Sequence, residues 1–113
     1  MYRKRELYFF REYFQEFYGR QNDKVKKKIL WTLKLMEELD NIPEKYLKFI
    51  KNSSGIYEIR VQVANNIFRI FCFFDVDNLV VIGHGFQKKT QKTPKQQIAK
   101  AEQIKTEYYD SKE

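Results

Sequence analysis

Apolar residues recur every three or four positions from Val25 to Met36, and every second position from Tyr57 to Val63. This change of period constrains the chain more than any other feature. A 3.6-residue repeat suits a helix with one buried stripe, and a two-residue repeat suits a strand with one buried face. Val25, Ile29, Leu33 and Met36 make the helical stripe, widened by Leu30 and Leu39, and Asn22 or Asp23 is placed to cap its start. Lys24, Lys26, Lys27, Lys28 and Lys34 lie mostly off the stripe. Asp40-Asn41-Ile42-Pro43 ends the helix, because proline cannot continue the hydrogen-bond ladder.

Upstream, Glu6 to Phe10 can open as a short strand. Phe10, Phe14, Phe17 and Tyr18 then recur at helical spacing until Gly19 closes the segment. Downstream, Tyr57, Ile59, Val61 and Val63 alternate with Glu58, Arg60 and Gln62. Ala64-Asn65-Asn66 reads as a turn in which asparagine takes the left-handed conformation that hairpins need. Ile67 to Phe74 forms the next strand, Asp75 to Asn78 turns again, and Leu79 to Ile82 returns, giving an antiparallel meander. The last run stops at Gly83-His84-Gly85 and opens onto a basic turn. Thr93-Pro94-Lys95-Gln96 then reads as a capping box for a helix carrying Ile98, Ala101, Ile104 and Tyr108 on one side. The predicted fold class is α+β: two N-terminal helices on one face of an antiparallel sheet, followed by a C-terminal helix. At 113 residues the chain is expected to form a single domain over 1–113, burying roughly two-thirds of its unfolded surface.

The lone Cys72 sits in an apolar run, which rules out a disulfide framework and fits a reducing compartment. Met1-Tyr2-Arg3-Lys4-Arg5 is basic but is not followed by the apolar stretch of a signal peptide, and nothing approaches a membrane span. A cytoplasmic protein with no membrane partner is therefore expected. Lysine and arginine outnumber the acids 22 to 15, for a formal charge of +7. The excess is local: five lysines and no acid lie between Gly83 and Lys100. Such a patch draws polyanions through counterion release, although a solvated lysine-rich face has the same composition.

Strand phase selects the polar residues with functional promise. Arg60 is out of phase with Ile59 and Val61, so it projects from the face away from the two helices. Arg69 interrupts an otherwise apolar strand beside Phe71 and Phe73, where an unpaired guanidinium is costly to bury. Two readings stay open: a cross-strand pair with Glu58, or a phosphate clamp formed with Arg60. His84 is the single histidine and has no acid or thiol nearby to complete a metal site. Hydrolase-elbow and glycine-rich phosphate-loop contexts are missing as well. Attack on a phosphodiester by the substrate's own 2′-hydroxyl needs neither a protein nucleophile nor a cofactor. It needs proton carriers and cations around the phosphorane. Arg60, Arg69, His84 and Lys88 can meet that need as catalytic residues, with Lys89, Lys92, Lys48 and Lys51 holding RNA backbone.

The segments GIYEIRV, FRIFCFFD and LVVIGHGFQKKTQKTP resemble the phage-derived HigB-like group of RelE/HigB-type toxins, which end in HGF-x-KKT-x-KTP. The closest match runs from Gly55 to Pro94, and the N-terminal third matches in pattern only. The resemblance implies a RelE-like fold, ribosome-dependent mRNA cleavage, and a cognate antitoxin often carrying a helix-turn-helix domain. It also implies active arginines in the central strands, where Arg60 and Arg69 stand, and a third cation at Lys88 or Lys89. No aromatic residue or arginine follows those lysines in Thr90-Gln91-Lys92, so the base-stacking tyrosine of some relatives has no clear counterpart there. Shared fold leaves two alternatives: a ParE-like toxin that poisons DNA gyrase without catalysis, and an RNA- or ribosome-binding module.

Overall fold

The computed structural model describes residues 3–113; Met1 and Tyr2, which open the basic N-terminal segment, lie outside the described residues. In chain order the elements are β1 (Glu6–Phe9), α1 (Tyr13–Tyr18), α2 (Asp23–Glu38), β2 (Leu47–Phe49), β3 (Tyr57–Val63), β4 (Asn66–Asp75), β5 (Leu79–Lys88) and α3 (Lys95–Ser111). The strands form one sheet ordered β1-β5-β4-β3-β2, in which β1 runs parallel to β5 and all other neighbours are antiparallel. This α+β arrangement, two N-terminal helices and a C-terminal helix around a mostly antiparallel sheet, is consistent with the RelE-like fold.

Each face of the sheet has its own core. On one, Phe14 and Phe17 of α1 and Val25, Ile29, Leu33 and Met36 of α2 pack against Ile59, Val61, Phe68, Ile70, Val80 and Ile82. On the other, Ala101, Ile104 and Tyr108 of α3 pack against Ile56, Phe71, Phe73 and Val81. The α2 stripe is thus the predicted one, started by the Asn22 side chain accepting from the Val25 amide at 2.9 Å. Leu30 does not widen that stripe: it is exposed, on the lysine-bearing side. Phe10 also departs from expectation. It precedes α1, the chain turns at Arg11 with φ 53°, and the Phe10 ring joins the α3-side core. In the β3–β4 turn the left-handed residue is Ala64 (φ 54°), not an asparagine. At the far end of α3, Tyr108 and Lys112 both donate to Asp75 Oδ2, at 2.6 and 2.7 Å, tying the helix to the end of β4.

Tertiary contacts add one strand that was not read from the sequence and correct two local readings. The short edge strand β2 is only Leu47-Lys48-Phe49, too brief an alternation to stand alone, and it exists because β3 offers it a partner, with Lys48 opposite Glu58. The capping box does not form. Pro94 precedes the first turn with no side-chain cap, and the Thr93 hydroxyl donates instead to Glu58 Oε2 at 3.1 Å. Most consequentially, β5 does not stop at Gly83-His84-Gly85 but continues to Lys88.

It continues through a bulge. Ile70 pairs with Gly85 and Cys72 with Ile82, so Phe71 faces both Gly83 and His84. The extra residue reverses the phase of the strand beyond it. A Cβ on Gly83 would meet Ile104 of α3, and the His84 and Phe86 rings both lie against Phe71 on that same side. Gly85 instead turns to the α1 side, where an added Cβ would lie 2.5–2.8 Å from three ring atoms of the buried Phe17. Gly85→Ala should therefore destabilise the protein by about 1–3 kcal/mol, the range for an overpacked core. Chemical denaturation measures it, and an unchanged midpoint would mean that Phe17 yields freely.

Candidate functional site

The site grows from the register of β3 and β4. Arg60 and Arg69 are direct cross-strand partners, on the face opposite Ile59, Val61, Phe68 and Ile70. Two cations so placed would repel, and between them sits Glu58. Its Oε1 lies 3.7 Å from Arg60 Nε and 3.6 Å from Arg69 Nε, while Thr93 holds Oε2. Glu58 and Arg69 are only 4% and 6% exposed, whereas the Arg60 side chain is part-exposed. Arg69 thus pairs with Glu58, as one of the two readings had it, and stands beside Arg60, where a clamp would need it. Arg69 Nη1 also donates to the Phe68 carbonyl at 3.1 Å, yet neither Nε has a hydrogen-bond acceptor. Burial, and then the neighbouring Arg60, push the Arg69 pKa down, while Glu58 opposes both. One carboxylate shared by two guanidiniums leaves a site with unspent positive charge, suited to an anion.

Lys88 joins this cluster because of the bulge. Without the extra residue in β5, its phase would carry Lys88 to the α1 side of the sheet. Its pKa is lowered, by burial first and then by Arg69, with Arg60 and Lys48 adding to the effect and Glu58 opposing it. Lys48, opposite Glu58 on β2, is exposed. A cleft of about 810 Å³ is lined by Arg60, Arg69, Lys88 and Lys89 together with the β3–β4 turn. A second hollow, of about 510 Å³, reaches the same two arginines from the α2 side, past Lys28, Lys45 and Tyr46. Arg60, Arg69, Lys88, Lys89 and Lys48 are thus brought together. Lys51 and Lys92 are exposed in loops and line neither cavity.

His84 is placed elsewhere. It is 3% exposed under α3, its Nε2 bonds to Gln97 Oε1 at 2.9 Å, and its Nδ1 has no partner. Because Gln97 Oε1 can only accept, the ring presents Nε2–H to it. Burial chiefly, aided by Lys100 and opposed by the Gln97 bond, lowers its pKa from 6.5 to about 4. The unfolded chain therefore takes up the proton first as pH falls. Stability tied to the neutral ring is complete above about pH 6.5 and is lost between 6.5 and 4, by at most about 3 kcal/mol. Denaturation midpoints across that window should fall in the wild type and stay flatter in His84→Gln. Equal slopes would assign the effect to another group.

Thr93, which has the composition of a helix cap, and Tyr46 and Lys45, which carry no periodic signal, are not marked by the sequence as part of this site. Trp31 did leave a signal: it is a large aromatic residue on the lysine side of α2, off the apolar stripe. Among the described residues no three His, Cys, Asp or Glu side chains gather as metal ligands, and no helix is long and apolar enough to cross a membrane. The buried Cys72 thiol, its pKa raised by burial, lies in the core and takes no part in the site. Compared with known families, residues 16–106 match the one described as phage derived protein Gp49-like (DUF891). None of the curated proteins matches the chain.

Proposed function

From the premise that this chain belongs to the Gp49-like family of phage-derived proteins, a family of RelE/HigB-like toxin-type proteins, we propose that it is a HigB-like mRNA endoribonuclease acting on the translating ribosome. Its other partner is a cognate antitoxin with a helix-turn-helix domain. The observation that carries this reading is the gathering of Arg60, Arg69 and Lys88 around one buried carboxylate at a cleft wide enough for a nucleotide.

In this mechanism the 2′-oxygen attacks phosphorus, the bond to the 5′-oxygen breaks, and a 2′,3′-cyclic phosphate and a 5′-hydroxyl result. Arg60 and Arg69 neutralise the phosphorane, where donors placed in a partly dry site act most strongly. Lys88 as the ammonium gives its proton to the leaving 5′-oxygen, a task favoured by a pKa lowered toward neutrality. The 2′-hydroxyl proton passes to solvent. Lys89 and Lys48 hold flanking phosphates. His84, neutral and enclosed at the seam between β5 and α3, is assigned to holding that seam and not to proton transfer.

Mapping RNA 5′ ends after brief induction tests the proposal. New 5′-hydroxyl ends within translated messages are expected, and none when translation initiation is blocked. Intact messages with gyrase-dependent DNA breaks would replace this reading by the ParE-like one. Intact messages with stalled ribosomes would leave a binding module without catalysis.

A further inference from the structure

The lysine face of α2 carries features that the site above does not use. Trp31 is 46% exposed, and it is the only tryptophan in the chain. Lys28 Nζ lies 4.4 Å from the centre of its ring, and the Tyr46 ring stands edge-on to it at 5.7 Å. A single exposed aromatic side chain is ordinary on a protein surface. Here, however, it borders a hollow of about 580 Å³ that also takes in Lys24 and Lys27. That hollow shares Lys28, Gln62 and Ala64 with the one leading to Arg60 and Arg69, so the two form one trough. No acidic residue lines either hollow.

We propose that this trough is a second binding surface for single-stranded nucleic acid, running from Arg60 past the β3–β4 turn to α2, with a base stacked on Trp31 and phosphates on Lys24, Lys27 and Lys28. A cationic groove with an aromatic platform is the arrangement that binds unpaired strands, since every base has a face to stack and every linkage a charge to neutralise. Stacking a base on the indole outweighs the exposed cation contact it displaces, and the freed Lys28 ammonium stays beside the ring for a phosphate. An acidic peptide would use the lysines but has no need of the indole. The proposal rests on the nuclease reading for one point, that the strand continues from a phosphate held at Arg60 and Arg69.

Trp31 is itself the reporter. A twelve-nucleotide oligothymidylate of deoxyribose, which lacks the 2′-hydroxyl and cannot be cleaved, should quench its fluorescence saturably at low salt. An abasic oligomer of equal length should bind more weakly and leave the fluorescence almost unchanged. By anisotropy of the labelled strand, Trp31→Ala should weaken binding roughly tenfold, within the range for one stacked base. Lys24→Ala with Lys27→Ala should flatten the dependence of affinity on salt. Absence of binding, or binding without quenching, overturns the proposal. Quenching by a polyglutamate peptide but not by the oligonucleotide also overturns it and assigns the face to an acidic protein. The two readings fail separately. Quenching with no cleavage in cells removes the nuclease and leaves the trough, whereas cleavage with no quenching does the reverse.

Discussion

Arg69→Ala is expected to slow cleavage of ribosome-bound message by about a hundredfold to a thousandfold, the loss found when one preorganised donor to a developing anion is removed. Growth arrest on induction should disappear with it. The expectation follows from a guanidinium held by Glu58 and by the Phe68 carbonyl beside Arg60, leaving the rest of its donors for a ligand. Because Arg69 is buried, its removal also disturbs Glu58, so activity must be compared at equal folded protein. Arg69→Lys separates the two effects. It keeps a cation for Glu58 but loses the planar fork that grips phosphate, so it should fold like the wild type and still cleave poorly. Wild-type cleavage by a folded Arg69→Lys and by Arg69→Ala would reduce Arg69 to a structural partner of Glu58.

Glu58→Ala should produce the largest change in stability, a loss of about 3–5 kcal/mol, because it leaves buried Arg69 uncompensated beside Arg60. Lys88, whose lowered pKa registers both arginines, would face the same repulsion. Glu58→Gln keeps the shape and an oxygen for the Thr93 hydroxyl, and so should cost less. Inorganic phosphate offers a direct check: it should raise the denaturation midpoint of Glu58→Ala more than that of the wild type, by occupying the anionic position that the carboxylate vacates. If Glu58→Ala were as stable as wild type in phosphate-free buffer, the two arginines would have to find water where the carboxylate now stands. The central role given to Glu58 would then fail.

The repetitive parts of the fold were legible because they are local. The stripe Val25-Ile29-Leu33-Met36 and the alternation Ile59-Val61 each encode which side is buried, whatever the partner, and both are buried as read. The phase of Arg60 followed from the same alternation, whereas Arg69 stood out only as the one charge in an apolar strand, and the β3–β4 register put the two on one face. The readings that failed depended on distant groups. Thr93 has the composition of a helix cap, but its hydroxyl went to a carboxylate 35 positions away. Gly83-His84-Gly85 has the composition of a strand end, but β4 pairs through it.

The sequence by itself therefore determined the kinds of elements, the meander, and the phase of Arg60, since each is written in a short-range period. Tertiary structure alone decided that β1 lies parallel to β5, that Glu58 is shared between Arg60 and Arg69, and that His84 is sealed under α3. It also decided the position of Lys88. One extra residue opposite Phe71 turns the end of β5 over and carries that lysine to the arginines, and a bulge exists only in the pairing of two strands.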